Sequence, residues 1–153
     1  NEISWIDWSL LKKNKELFEF FKFMIAYRKK HPVIRKKLDN AVCGMEGMHA
    51  HDVNADRMEV SQNAKTLAVS FAGYDRKKCK DDLVYVAVNA YWEEVRITLP
   101  NLANHGAWYL SVDTYGDENG KYCYEEGEEI RIDHEYVMKP RSIVVFTGRQ
   151  VLR

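Results

Sequence analysis

The residues able to do chemistry fall in a few short stretches. His49-Ala50-His51-Asp52 has the look of a metal site. Two imidazoles at i and i+2 on a strand face the same way, and Asp52 or Cys43 could add a donor. A closed zinc site generally shows a second ligand pair at defined spacing, and none follows here. The stretch therefore reads as a polar loop, with no metal and no cofactor. Glu125-Glu126-Gly127-Glu128-Glu129 could hold a cation or a basic partner. Like charges around a glycine are more often a solvated hairpin. Arg76-Lys77-Lys78-Cys79-Lys80 reads as a long exposed hairpin tip, ended by Asp81-Asp82.

Nucleophilic catalysis needs a Ser or Cys beside a base, on a turn that exposes it. No Gly-x-Ser-x-Gly occurs, and no cysteine carries a neighbouring signature. Carboxylates are plentiful. A retaining glycosidase, however, needs two of them about 5 Å apart in a cleft, and sequence shows no such pair, so no catalytic residue is assigned. Tyr91, Trp92, Trp108 and Tyr109 could stack on sugar rings. Trp108 shares a period-two face with Leu110 and Val112 and reads as core. Tyr91 and Trp92 follow Asn89-Ala90 at a strand end and are the pair placed for exposure, although packing is the commoner fate of large aromatics.

These residues need elements to hold them. Asp7 or Ser9 can cap a short turn, Leu10 to Lys13, and Asn14 a longer helix. In that helix Leu17, Phe20, Phe21, Met24 and Ile25 recur at helical spacing, and Phe18 and Phe23 widen the apolar face beyond one stripe. Arg28, Lys29 and Lys30 suit its C-terminus. Pro32 pushes His31 out of the helical region and stops it. Residues 33–38 could add a turn. Residues 39–57 have glycines and no clear period and read as a connection.

From Met58 onward the period is two. Leu67/Val69/Phe71, Val84/Val86/Val88, Val95/Ile97/Leu99, Trp108/Leu110/Val112 and Ile130/Ile132 predict short strands. The continuous run Ile143 to Phe146 predicts a central one. Glycine- and Asn/Asp-rich turns separate them. This pattern predicts a mainly β fold, an antiparallel β-sandwich of Greek-key type over 58–149, after a helical segment 1–38, with a tail at 150–153. No strand–helix alternation supports a nucleotide-binding fold.

Lys+Arg and Asp+Glu are equal at 23 each, which leaves no basic surplus for nucleic acid or an anionic membrane. No apolar run approaches the ~18 residues of a membrane span. Three widely spaced cysteines read as free thiols in a reducing compartment, the cytoplasm. The opening Asn1-Glu2-Ile3-Ser4-Trp5-Ile6-Asp7-Trp8 is too aromatic for a frayed terminus. With the helix behind it, it predicts burial against protein that this chain does not contain.

That opening resembles the segment after the last barrel strand in isoamylase-type glycogen debranching enzymes of the α-amylase superfamily. Tyr27-Arg28-Lys29-Lys30-His31-Pro32 is similar to the close of their last barrel helix. Lys65-Thr66-Leu67-Ala68, Val86-Ala87-Val88-Asn89-Ala90 and Lys139-Pro140-Arg141-Ser142-Ile143-Val144-Val145 resemble signposts of their C-terminal β-domain. The resemblance implies that residues 1–38 end a (β/α)₈ barrel and that the chain is the C-terminal part of a glycoside hydrolase. Such a parent cuts α-1,6 branch links in glycogen, starch or limit dextrin by a retaining mechanism. Its catalytic acids lie on earlier barrel strands, and none is in this chain. Asn1, Glu2 and Trp5 match the loop leaving the last strand and are named as possible substrate-side contacts. One departure is Arg57-Met58-Glu59, where the family often has an Asp-Trp pair. On this reading the chain supports and covers the barrel. Cut off from it, the chain should self-associate through Phe18, Phe21 and Phe23. The alternatives are an independent carbohydrate-binding module working through Tyr91 and Trp92, or a protein-interaction sandwich.

Overall fold

A computed structural model describes residues 5–55, 64–103 and 105–150. Asn1, Glu2 and the Arg57-Met58-Glu59 stretch lie outside the described residues. A short helix α1 (Leu10–Lys13) leads into α2 (Lys15–Lys30). The Asn14 side chain does not cap α2; the Asp7 carboxylate instead accepts the Ser9 N–H at 2.9 Å. Pro32 stops α2 as expected: His31 sits at φ −110°, ψ 83° and still donates its N–H to Tyr27 O. The turn that follows is short, a 3₁₀ turn over Pro32–Ile34. Among the described residues no helix is long and apolar enough to cross a membrane.

Eight antiparallel strands follow: β1 (Met48–His51), β2 (Thr66–Asp75), β3 (Lys80–Asn89), β4 (Val95–Thr98), β5 (Ala107–Asp113), β6 (Ile130–Ile132), β7 (Glu135–Met138) and β8 (Ser142–Arg149). Six form a sheet in the order β1-β2-β3-β8-β5-β6, and β4 pairs with β7 as a separate ribbon. The run Ile143 to Phe146 lies within β8, which returns to lie between β3 and β5. This long return is the Greek-key-type feature that the alternation predicted. The ribbon sets Ile97, Leu99 and Met138 against Tyr85, Leu110, Trp108 and Phe146 of the sheet, and these close the main core. The fold is therefore a β-sandwich.

Two expectations are corrected. β1 lies inside the stretch read as a connection, and β7 was not foreseen. The valines of β3 do alternate with Tyr85 and Ala87 across the sheet, and neither set is exposed because the sheet is covered on both faces: Tyr85 and Ala87 are as buried as Val84. Finally, Val112 does not share a face with Trp108 and Leu110. Leu110 pairs with Phe146 and Val112 with Val145, so two steps on β5 oppose one on β8, and Ser111 is the extra residue of a bulge. The bulge turns Val112 to the other side of the sheet, where it joins Val84 and Val145.

That other side is where α2 lies. Tyr27 is its buried residue, packed with Val33, Val84, Val112 and Val145, with Phe20, Phe23 and Met24 at the margin. Phe23 thus turns inward and stacks on Tyr27 at 6.1 Å. Phe18 and Phe21 point outward, with Leu17 and Ile25.

The seat of the helix is apolar, but its register is set by polar groups. Tyr27 Oη meets Thr147 Oγ1 at 2.8 Å, and Thr147 Oγ1 meets Ser111 Oγ at 2.8 Å. His31 Nδ1 lies 2.6 Å from Asp82 Oδ1, and Asp82 Oδ2 accepts the Val33 N–H at 3.0 Å. An ionised carboxylate only accepts, so Nδ1 carries the proton. Asp82 is therefore no part of an exposed tip. It is buried in β3, and neighbouring Asp81 accepts the N–H groups of Val42 and Cys43.

Two substitutions test this architecture. Asp82→Ala leaves a buried imidazole and a backbone N–H unpaired, so urea unfolding should show a loss of about 3 kcal/mol; a change near zero would remove the clasp from the account. At Gly148 a Cβ would lie 2.8 Å from Leu83 Cβ and 3.0 Å from Trp108 Cζ3. Gly148→Ala should then cost about 1–3 kcal/mol by the same measurement, through overpacking.

Candidate functional site

Trp5 is exposed, so of the three residues expected on the substrate side one can be placed, on the outer surface ahead of α1. Asn1 and Glu2 lie outside the described residues.

The histidine stretch does form a strand, and both rings face the same way, 4.9 Å apart. Both ring nitrogens of His51 and Nδ1 of His49 are engaged within the protein. His51 Nδ1 donates to Ala55 O at 2.8 Å, and His51 Nε2 lies 2.9 Å from Ser70 Oγ. His49 Nδ1 meets Glu46 at 3.1 Å, while Asp52 Oδ1 accepts from Val53 N–H and Thr66 Oγ1. The His51 lone pair that a metal would need is turned to a hydroxyl. No group of three or more His, Cys, Asp or Glu among the described residues is placed to hold a metal ion. The Ser70–His51 contact has the length of a nucleophile–base pair, but both residues are buried in the sandwich, where no substrate carbonyl can approach.

The charged runs also resolve into local ties. Glu126 pairs with Lys30 of α2 at 2.7 Å and Glu128 with Lys121 at 2.8 Å, while Glu129 pairs with Arg149. These cations hold the Glu126 and Glu128 carboxyls below the usual range, hydrogen bonding first and charge second. The basic run is a four-residue turn between β2 and β3, shorter than expected from sequence. Arg76 reaches Asp39, and Lys78 donates to Lys30 O. All three cysteines are free. Burial pushes the Cys123 thiol up to about 11 and raises Cys43 as well, so neither is an activated nucleophile.

The aromatic pair Tyr91 and Trp92 is different. Strand β3 ends at Asn89, which is buried and acts as a three-way clamp. Its Nδ2 donates to Glu93 O and Lys139 O, both at 2.9 Å, and its Oδ1 accepts the Tyr91 N–H at 3.0 Å. Arg141 N–H closes the loop onto Tyr91 O at 3.0 Å. On this fixed loop the Tyr91 and Trp92 rings lie 4.1 Å apart at 38°, and Lys65 Nζ sits 3.6 Å from the centre of the Tyr91 ring. Trp92 is 65% exposed. Trp108, by contrast, is core and donates its Nε1–H to Pro100 O at 2.7 Å. Lys65 was invisible as a partner in the sequence. It is 26 residues upstream of Tyr91 and arrives through the pairing of Thr66 with Asn89.

A last feature is apolar. Leu67, Val88 and Ile143 stand side by side across β2, β3 and β8 on the face that α2 partly covers. Leu67 is 52% and Ile143 41% exposed. The outer side of α2 adds Leu17, Phe18, Phe21 and Ile25.

Compared with known proteins, the chain matches the family model described as isoamylase, C-terminal, over residues 36–147. No curated protein gives a match. The matched span begins beyond α2 and the 3₁₀ turn, takes in β1 to β7 and ends within β8. By that match, which covers most of its length, the chain belongs to the isoamylase C-terminal domain family.

Proposed function

We propose that this chain is the C-terminal part of a debranching glycosidase that hydrolyses α-1,6-glucosidic links in glycogen, starch or limit dextrin. Family membership carries the coarser statement, a glycoside hydrolase parent. The finer reading adds where the chemistry sits. The nucleophile and the acid/base carboxyl lie on barrel strands outside this chain, at about the 5 Å separation of a retaining pair. Asn1, Glu2 and Trp5 belong to the loop leaving the last of those strands, beside the cleft. The part played by the present residues is to support and cover the barrel. Three free thiols agree with a cytoplasmic enzyme.

The observation that carries this reading is the pair of open apolar surfaces. α2 is apolar on two sides, and the sheet uses one of them. The other side exposes Leu17, Phe18, Phe21 and Ile25, and the sheet leaves the Leu67–Val88–Ile143 row part-open on the face that α2 partly covers. Surfaces of this kind mark sites of protein contact. α2 lies before the family's matched span yet is keyed into the domain by Tyr27 and His31. A helix that ends one body and is clasped by the next is the joint such an enzyme requires.

The chain alone should release no reducing ends from pullulan or glycogen limit dextrin, whereas the chain translated in continuity with the barrel should release them. Hydrolysis by the isolated chain would overturn the supporting role. An upstream coding sequence without strand-end Asp and Glu residues would overturn the parent.

Isolated from its barrel, the chain should dimerise through the outer face of α2. Sedimentation should give a dimer for the native sequence and a monomer for Phe21→Lys combined with Ile25→Lys. A native-sequence monomer with α2 intact by circular dichroism speaks against this face as a contact surface.

A further inference from the structure

The loop after β3 carries a feature that covering a barrel does not explain. Trp92 stands 65% exposed on a backbone held from several directions. Exposed tryptophans are expensive in water, and this one is braced. Tyr91 lies against it, and Lys65 Nζ caps the Tyr91 ring. A cation over a ring is attracted by the quadrupole of the ring face, so the order Lys65–Tyr91–Trp92 fixes the indole from behind. Most of the indole surface stays open to solvent.

The rim of the platform is polar. Glu94 pairs with Lys139, and Glu93 and Arg141 are exposed on the adjoining backbone. Thr114 exchanges two hydrogen bonds with Ile143, which brings exposed Tyr115 to the same end of the sheet. The charge balance excludes a strong anion site. Three cations, Lys65, Lys139 and Arg141, stand against two carboxylates, Glu93 and Glu94, so this group carries a net charge of about +1. A flat apolar face ringed by hydrogen-bonding groups of both signs, with little net charge, suits a neutral ligand that is apolar on its faces and hydroxylated at its edges. A pyranose ring has that character.

We propose that Trp92, backed by Tyr91 and Lys65 and rimmed by Glu93, Glu94 and Arg141, is a binding platform for a neutral α-glucan chain. The ligand class rests on the α-glucan reading above; the platform itself rests on geometry alone. A rigid aromatic presents contact area at little cost in side-chain entropy, and Asn89 removes the backbone cost in advance. The indole stacks on one sugar ring, and the charged rim accepts and donates to its hydroxyls.

Affinity electrophoresis of the full 153-residue chain tests this, in gels containing glycogen, a β-linked glucan or no polysaccharide. Glycogen should retard the native sequence. Trp92→Ala should weaken retardation about tenfold, as expected for an aromatic anchor at the centre of a contact. Trp92→Phe should keep part of it, and both variants should melt where the native sequence does. Native migration unaffected by either polysaccharide overturns the platform and leaves the debranching reading to its own assay. Retardation by glycogen that Trp92→Ala and Trp92→Phe leave intact also overturns it. Trp92-dependent retardation by the β-linked glucan alone overturns the α-glucan assignment.

Discussion

A six-stranded sheet that is apolar on both faces has to be covered twice, and the rest of this structure follows from that constraint. On one face Ala68, Ala72, Leu83, Tyr85, Leu110, Trp108 and Phe146 meet the β4–β7 ribbon. On the other, Val84, Val112 and Val145 meet Tyr27 and Val33. A sandwich would ordinarily close both layers with strands. Here the ribbon is only two strands of four residues, and the second face is given to a helix from before the family's own span. The Ser111 bulge serves this division. It lets β5 put Trp108 and Leu110 toward the ribbon and Val112 toward the helix within one short strand.

Apolar contact does not say where along the sheet a helix should stop. The polar groups under α2 do. A sliding helix would leave Tyr27 Oη, His31 Nδ1 and both Asp82 oxygens without partners in a buried place, and each lost partner costs more than a made bond returns. The His31 Nε2 atom is already buried without a partner, which leaves the clasp no slack to absorb a second loss. Burial is also what pushes the Tyr27 phenol well above its ordinary range, against the bonds to Thr147 and Ser111. A buried polar clasp of this kind adds little net stability over an apolar one, but it specifies a single arrangement.

Much of this was legible in the sequence. Period-two runs located five of the strands, the unbroken Ile143–Phe146 run marked a sixth, the central β8, and His31-Pro32 marked the end of α2. What stayed hidden has physical causes. β1 was missed because Met48-His49-Ala50-His51 is a short edge strand whose burial runs against its hydropathy: Met48 and Ala50 face out and His51 is buried. β7 was missed because its four residues have no apolar partner pattern until they meet Val95 and Ile97. The face of Val112 could not be read because a bulge at a serine leaves no mark in the sequence. Asp82 looked like the end of a charged tip because its partner, His31, is 51 residues away. At the candidate site, Tyr91 and Trp92 could be picked out from their place at a strand end, whereas the stack with Lys65 depends on strand register and could not.

The register also links the two surfaces. Thr66, Asn89 and Ser142 form the last rung of the sheet before the Tyr91–Trp92 loop, and the next rung is the part-open row Leu67, Val88 and Ile143. The aromatic platform therefore leaves the sheet one rung beyond the apolar strip proposed to lie against a barrel. A glucan held by Trp92 would run at the margin of that contact, and Thr66, Asn89 and Ser142 form the rung between them. The domain's two roles, covering and holding, would then be carried by adjacent rungs of the same three strands. A change in how β2 seats on β3 would disturb both together.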